Sequence, residues 1–144
     1  MGMWNLFRKA SAPPVGDFST PEQAILSLEA AYRRRDLDAC VACKDFRTEA
    51  SEMLRRLGDG KMAGDDAVVA KTAEVLELAY RKELRTRGFP NMDGVTSTFE
   101  ATQRLTDDRA VVTEVCTYPD GGSSRQKLLV AKTPAGWRVL NPIQ

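Results

Sequence analysis

The chain has 144 residues, of which 42% are hydrophobic and 28% are charged, which is ordinary for one globular domain. Its formal net charge of +1 excludes a global electrostatic attraction to nucleic acid or to an acidic membrane. No apolar run approaches the ~18 residues of a membrane span, and the absence of histidine removes the commonest general base and the histidine-dependent nucleophile systems.

Residues 1–18 are predicted to form a tether, because prolines and a glycine stand there among small residues. Arg8 and Lys9 interrupt the short apolar start of this segment, so no signal-peptide apolar core develops. The three cysteines are an odd number, which fits a reducing compartment better than a disulfide framework. We therefore expect a cytoplasmic protein with one folded domain over residues 19–144.

The first helix is predicted to begin after Thr20, which caps it, with Pro21 in the first turn. Gln23 completes a capping box with Thr20, since the two residues are three apart. Apolar residues at helical spacing predict the buried stripe of this helix, which consists of Ala24, Ile25, Leu28, Ala31 and Tyr32.

Two shorter helices are predicted next, the first capped by Asp36 and the second following residues 44–47 and ending at Gly58. The inward side of the second is predicted to consist of Ala50, Met53, Leu54 and Leu57. Residues 58–64 are predicted to form a glycine-rich loop, and its spacing matches no phosphate-binding motif.

The longest helical signal covers residues 65–90. Asp65 stands where a helix N-terminus favours negative charge, and Gly88 and Pro90 are typical of a helix end. The inward side of this helix is predicted to consist of Val68, Val69, Ala73, Val75, Leu76, Ala79, Tyr80 and Leu84.

After Pro90 the hydrophobic pattern alternates, which predicts strands over residues 95–105, 110–118, 124–132 and 137–140. Turn sequences separate the strands, the clearest being PDGG at residues 119–122. The first strand is predicted to turn Val95, Phe99, Ala101 and Leu105 to one side. Four strands joined by short loops predict an antiparallel meander with helices on one face, which is an α+β fold.

Cys40 and Cys43 form a C-x-x-C motif. A thioredoxin-like redox site needs this motif after a strand, at a helix N-terminus, whereas here it lies inside a helical segment. Zinc needs four ligands, and the chain has no histidine and only Cys116 as a further cysteine. We therefore interpret both residues as small buried side chains, and we expect no metal and no cofactor.

The run of three arginines at residues 33–35 could indicate nucleic-acid binding. Cations in the last turn of a helix are the simpler interpretation, because the helix C-terminus favours positive charge and no aromatic residues are interleaved with them. We therefore expect neither a nucleic-acid partner nor a membrane partner.

Glu114 is the carboxylate that could act as a general base, since it stands in the middle of the second predicted strand. If it shares the buried side with Val112 and Cys116, burial would raise its pKa, as an isomerase base requires. If the side of Val111 and Val115 is buried instead, Glu114 is an ordinary solvated residue. Both sides carry valines, so both orientations stay open, and we favour the solvated one.

Three segments resemble the nuclear transport factor 2-like superfamily: TPEQA at residues 20–24, RDLD at residues 35–38 and GWRV at residues 136–139. This resemblance implies a cone-shaped fold, in which a bent antiparallel sheet wraps around helices and encloses a pocket.

Four further segments look like the immunity-protein branch of that superfamily, whose members are encoded beside bacterial polymorphic toxins. These segments are KDFRTEA at residues 44–50, AEVLELAYR at residues 73–81, GFP at residues 88–90 and PDGG at residues 119–122. The resemblance runs from about residue 19 to residue 142. It implies a cytoplasmic protein that binds and neutralises a cognate toxin and has no catalytic activity of its own.

Phe46, Arg47 and Phe89 are expected to be exposed and to bind this partner, because aromatic rings beside charges can anchor an interface. The alternative is that the two rings are hydrophobic plugs where elements meet. Two other functions stay open on the same fold. One is a ketosteroid-isomerase-like enzyme with Glu114 as base and Tyr32 or Tyr80 as hydrogen-bond donor. The other is a non-catalytic carrier of a small ligand.

Overall fold

The computed structural model describes residues 16–58 and 60–143, and of residues 141–143 it describes the backbone alone. The first fifteen residues of the predicted tether lie outside the described residues. The last residues of that segment contact the domain: the backbone N–H of Asp17 donates to Ser27 Oγ at 2.8 Å, and the carbonyl of Phe18 accepts from the backbone N–H of Trp137 at 2.8 Å.

Gly136 allows this approach of the chain start to the last hairpin. Its φ of 109° lies in the region that favours glycine. A Cβ atom at this position would stand 2.6 Å from the carbonyl oxygen of Phe18, so no larger residue fits without moving the backbone.

The described chain contains five helices followed by four strands. The helices are α1 (Pro21–Arg34), α2 (Leu37–Ala42), α3 (Phe46–Arg56), α4 (Gly60–Ala63) and α5 (Asp66–Arg87). The strands are β1 (Thr96–Thr106), β2 (Arg109–Thr117), β3 (Ser123–Thr133) and β4 (Gly136–Ile143). They form one antiparallel sheet in the order β1-β2-β3-β4, which confirms the predicted α+β meander. No helix in the described ranges has the length and apolar character needed to cross a bilayer.

Side-chain caps begin four of the helices, at the predicted positions except in α3, which begins at Phe46 and not after residue 47. A side-chain oxygen accepts a hydrogen bond from a backbone N–H of the first turn at Thr20, Asp36, Asp45 and Asp65. Gly88, with a φ of 86°, follows the last residue of α5. The predicted loop over residues 58–64 is wrong in part, because it contains the single turn of α4.

Some apolar residues that were predicted to face inward are exposed. Leu57 is 74% exposed, because α3 ends at Arg56 and Leu57 follows it with non-helical backbone. Val75 is 57% exposed and Ala79 is exposed, since α5 buries only a narrow stripe against α2 and α3. The width that we predicted for the inward side of this helix is therefore wrong.

An irregularity in β1 changes which residues face the helices. The pairing register with β2 shifts between Phe99 and Ala101, which is a β-bulge, and a one-residue shift exchanges the two faces of a strand. Beyond the bulge, the guanidinium of Arg104 lies 4.8 Å from the ring centre of the buried Trp137. Leu105 is 50% exposed, so its predicted inward orientation is wrong.

The helices meet the sheet at residues 43–44. Lys44 forms a parallel bridge with Val139 in β4, and the N–H of Val139 donates to the carbonyl of Cys43 at 2.9 Å. The ammonium of Lys44 is buried, donates to Glu49 Oε1 at 3.1 Å and donates to the carbonyl of Leu140 at 2.6 Å. Burial lowers the pKa of Lys44 and raises that of Glu49, and the opposite charge of each partner counteracts both shifts.

We expect Lys44→Met to lower the free energy of unfolding by about 3–5 kcal/mol, because it leaves the Glu49 carboxylate buried without its cation. The double variant Lys44→Met/Glu49→Leu should recover most of this loss, since it removes both charges. Urea unfolding at neutral pH measures both. A Lys44→Met protein as stable as the wild type would contradict the structural role of the pair.

Candidate functional site

An internal cavity of about 460 Å³ lies between α1 and the sheet. Its walls are mostly apolar and include Ile25, Leu28, Val95, Leu128 and Val139. Four of its lining residues are exposed, Pro90, Tyr118, Ser124 and Gln126, so the cavity reaches the surface on their side. Its size and lining are typical of a small-molecule site.

Glu114 faces this cavity and is fully buried, which contradicts the solvated orientation that we favoured. Val112 and Cys116 are buried on the same side of β2, whereas Val111 and Val115 are only partly buried. The helices cover the first side, and the second forms the outer face of the sheet. Glu114 therefore occupies a buried position on the inner face of the sheet, where an apolar residue is usual.

Glu29 of α1 lies opposite Glu114, and the sequence analysis missed it. Its side chain is 6% exposed, and its Oε1 accepts a hydrogen bond from Ser97 Oγ at 2.7 Å. Burial and the neighbouring Glu114 raise the pKa of Glu29 from 4.5 to about 8. Two buried carboxyl groups this close cannot both stay ionised at low cost, so Glu29 holds a proton at neutral pH.

Ligand atoms of Glu29, Glu114 and Cys116 all lie within 4.8 Å of one another. Two carboxylates and a thiol could in principle hold a divalent cation. The same three groups also suit an organic cation, because carboxylate oxygens accept from an ammonium equally well. The chemistry of these groups therefore allows them to bind a positive charge or to exchange a proton.

Tyr32 and Tyr80 line the same cavity, and their hydroxyl oxygens are 2.8 Å apart. Burial raises the pKa of Tyr32 to about 12 and the pKa of Tyr80 further, so both phenols are neutral. Only one of them can donate to the other. The second hydroxyl hydrogen is therefore available to an acceptor on a ligand.

Cys40 and Cys43 are fully buried, Cys40 within α2 and Cys43 at its C-terminal end. Burial raises the pKa of the Cys40 thiol to about 12 and of the Cys43 thiol to about 11. A redox cysteine needs a lowered pKa. This environment therefore supports the interpretation of the motif as small buried side chains.

A second concavity, the outer groove, has a volume of about 440 Å³ and lies between α3 and α5. One wall comes from residues near the start of α3, namely Val41, Lys44, Asp45, Phe46 and Arg47. The other comes from α5, namely Ala70, Ala73, Glu74 and Glu77. The guanidinium of Arg47 joins the two sides through Asp66 Oδ1 at 3.2 Å, and this ion pair is exposed.

The structure brings two of the three expected partner-binding residues together, because Phe46 and Arg47 both line the outer groove and Phe89 does not. Arg47 is exposed as expected. Phe46 is only 9% exposed and its ring centre lies 5.6 Å from that of Tyr80, so the expectation of an exposed ring is wrong. Phe89 is half-buried against the main core. Whether these residues bind a partner stays a prediction.

A signal for the missed acidic residues is present in the sequence. Glu29 is four residues after Ile25 and therefore falls on the apolar stripe of α1. Glu49 is three residues after Phe46, so it falls on the buried side of α3 in the same way. A charged residue inside an apolar stripe indicates a buried pair, but its partner cannot be identified from the helix alone.

No protein-family model and no curated protein matches this chain. Among solved structures, a protein described as an NTF2-like transpeptidase from Campylobacter jejuni is 14% identical, covers 85% of this chain and 99% of its own, and has a TM-score of 0.44. An NTF2-like protein of unknown function from Shewanella oneidensis is 16% identical, with coverages of 83% and 91% and a TM-score of 0.45.

A third solved structure, a ketosteroid isomerase-like protein from Erwinia carotovora atroseptica, is 16% identical, with coverages of 82% and 86% and a TM-score of 0.36. The first two descriptions name the superfamily that the sequence resembles. None of the three names a toxin or its neutralisation. With identities of 14–16% and TM-scores of 0.36–0.45, these likenesses carry no argument about the activity of this chain.

The raised pKa of Glu29 makes the stability of the protein depend on pH. Between pH 4.5 and about 8 the folded protein keeps a proton that the unfolded chain has lost, so folding becomes less favourable as pH rises through this window. Glu29→Gln removes this titration. We therefore expect the stability of the wild type relative to Glu29→Gln to fall by at most about 1.4 kcal/mol per pH unit and then level off above about pH 8.

Urea unfolding of both proteins across this pH range measures the difference. Glu22→Gln is the matched control, because Glu22 is also in α1 but accepts from Thr102 Oγ1 outside the cavity. If the wild type and Glu29→Gln show parallel pH dependences, Glu29 does not hold the extra proton.

Proposed function

We propose that this chain is a cytoplasmic immunity protein that binds a cognate protein toxin and neutralises it without catalysis. The observation that carries the proposal is the outer groove. The two longest segments on which the resemblance rests are residues 44–50 and 73–81, and both line this groove although they are far apart in the chain. The fold alone does not require charged residues from both segments to line one groove.

The walls of the groove are suited to a protein partner. Asp45 and Arg47 lie on the α3 wall, and Glu74 and Glu77 lie on the α5 wall, so charges of both signs surround a shallow surface. Such a pattern selects a partner by local complementarity, which a net charge of +1 cannot provide globally. The buried contact of Phe46 with Tyr80 gives the groove a rigid floor.

We expect Arg47→Glu and Glu74→Lys each to weaken toxin binding at least about tenfold, because each reverses a charge in the groove. Arg55→Glu and Glu83→Lys are the matched controls on the same two helices. Each control also loses one exposed ion pair, to Glu52 and to Arg87 respectively, and neither residue lines the groove. The measurements are the affinity for the toxin encoded beside this gene and cell survival on co-expression.

Two outcomes would contradict different parts of this proposal. If the wild type is soluble and abundant but neither binds the neighbouring toxin nor protects the cell, the immunity function is wrong. If the wild type protects the cell and the groove variants bind as well as the controls, the binding surface lies elsewhere.

A second candidate function, proton transfer on a small molecule, is favoured by the placement of Glu114. This carboxyl group is fully buried and faces the cavity, with the Tyr32 and Tyr80 hydroxyl pair lining the same space. In such a reaction the carboxylate would remove a proton from carbon, and the free phenol hydrogen would stabilise the developing oxyanion.

Glu114→Gln separates the two functions. An immunity protein needs no proton shuttle, so we expect this variant to keep toxin affinity and protection, with a cooperative unfolding transition. Lost protection with unchanged fold and unchanged toxin affinity would favour the enzyme. The isosteric amide keeps the volume of the side chain, so a packing defect is a minor concern.

A further inference from the structure

The polar end of the cavity contains more acceptors than donors. Gln126 Nε2 donates to Glu114 Oε1 at 3.0 Å, and Ser97 Oγ donates to Glu29 Oε1 at 2.7 Å. Glu114 Oε2 is buried, and apart from the proton that Glu29 holds it has no hydrogen-bond donor among the described residues. A buried carboxylate oxygen without a donor is costly, so once Glu29 loses that proton this position favours a group that brings a hydrogen or a positive charge.

The rest of the cavity is a space for an apolar body. About 460 Å³ of volume adjoins the two carboxyl groups, and apolar side chains such as Ile25, Leu28 and Val139 line it. A bare metal ion bound to the carboxyl groups and Cys116 would leave the apolar volume unfilled. An organic molecule with one charged end would place that end at the carboxyl groups and fill the apolar volume with the rest.

We propose that the cavity binds a small organic primary ammonium, with its –NH₃⁺ group between Glu29 and Glu114 and its apolar body in the space between α1 and the sheet. The ammonium brings three donors, one of which satisfies Glu114 Oε2. Its charge replaces that of the proton that Glu29 loses, so the net charge of the site does not change. This site is separate from the outer groove, so it does not depend on the proposed binding of a toxin.

The charged and titratable groups around Glu29 are compatible with an added cation. Glu114 and Cys116 face it from β2, and Arg33 and Tyr32 lie on its own helix. The guanidinium of Arg33 donates hydrogen bonds to the carbonyls of Met92 and Val95. Lys44 and Tyr80 also line the cavity, where Lys44 is already paired with Glu49 and Tyr80 with Tyr32.

In the proposed arrangement the ammonium takes the place of the proton that Glu29 holds. With a pKa of about 8 for Glu29, affinity should therefore rise roughly tenfold from pH 6 to pH 7 and level off above about pH 8. About one proton should be released per ligand bound near pH 6, which calorimetry in buffers of different ionisation enthalpy counts directly.

The test uses phenethylammonium as the probe, its near-isostere phenethyl alcohol and the anion phenylacetate, titrated into the full chain. We expect phenethylammonium to bind at least about tenfold more tightly than either analogue, since only it carries the charge. Glu29→Gln and Glu114→Gln should each weaken its binding at least about tenfold. Glu22→Gln, on the same helix but outside the cavity, should bind as the wild type does.

Several results would overturn the proposal. One is equal affinity for phenethylammonium and phenethyl alcohol. Others are binding of phenethylammonium without proton release, or no detectable binding of this probe to the wild type. Tight binding of Zn²⁺ or Mn²⁺ that is lost in Glu29→Gln and in Cys116→Ala, with no competition from phenethylammonium, would assign the same residues to a metal instead. The number of protons that the wild type releases on binding is measured without any variant, so it tests the proposal even if a variant fails to fold.

Discussion

The buried ion pair between Lys44 and Glu49 holds the helices in position on the sheet. The Lys44 ammonium bonds to Glu49 in α3 and to the carbonyl of Leu140 in β4, and the backbone beside it bridges to Val139. A buried charge pair contributes little net stability compared with apolar residues of the same size, but it is costly to break. This contact joins α3 to β4, and Lys44 lines both concavities.

Lys44 also connects the two candidate sites, since it lines both the internal cavity and the outer groove. Its ammonium lies 5.5 Å from the ring centre of Tyr80 and 5.9 Å from that of Phe46. Tyr80 faces the cavity and Phe46 faces the groove, so these two rings and the lysine form the wall between them. A change in one site that moves this wall must alter the other.

The protein buries Glu49 and Glu29, and the free-energy cost of burying each carboxyl group is offset in a different way. Glu49 is paired with a cation, the ammonium of Lys44, which compensates for lost hydration. Glu29 faces a second carboxyl group, Glu114, and is neutral because it keeps a proton. The site beside Glu49 is closed, because Lys44 occupies it. The site between Glu29 and Glu114 holds only a proton, which a larger cation can replace.

The sequence by itself determined the local structure. Thr20, Asp36 and Asp65 mark three helix starts, and the change of hydrophobic period after Pro90 marks the strands, because caps, turns and alternation depend on neighbouring residues. The α+β meander follows from their order and the short connections.

Only the tertiary structure decided which surfaces are covered. Because β2 has valines on both sides, its sequence does not show which side of the strand Glu114 faces. The bulge in β1 exchanges the two faces of the strand beyond Phe99. The ring of Phe46, which was expected at the surface, packs on Tyr80. The pairing of Glu29 with Glu114 joins α1 to β2 across 85 positions of the chain. Burial and pairing depend on which distant elements meet, and the pattern within one element does not identify the element that will cover it.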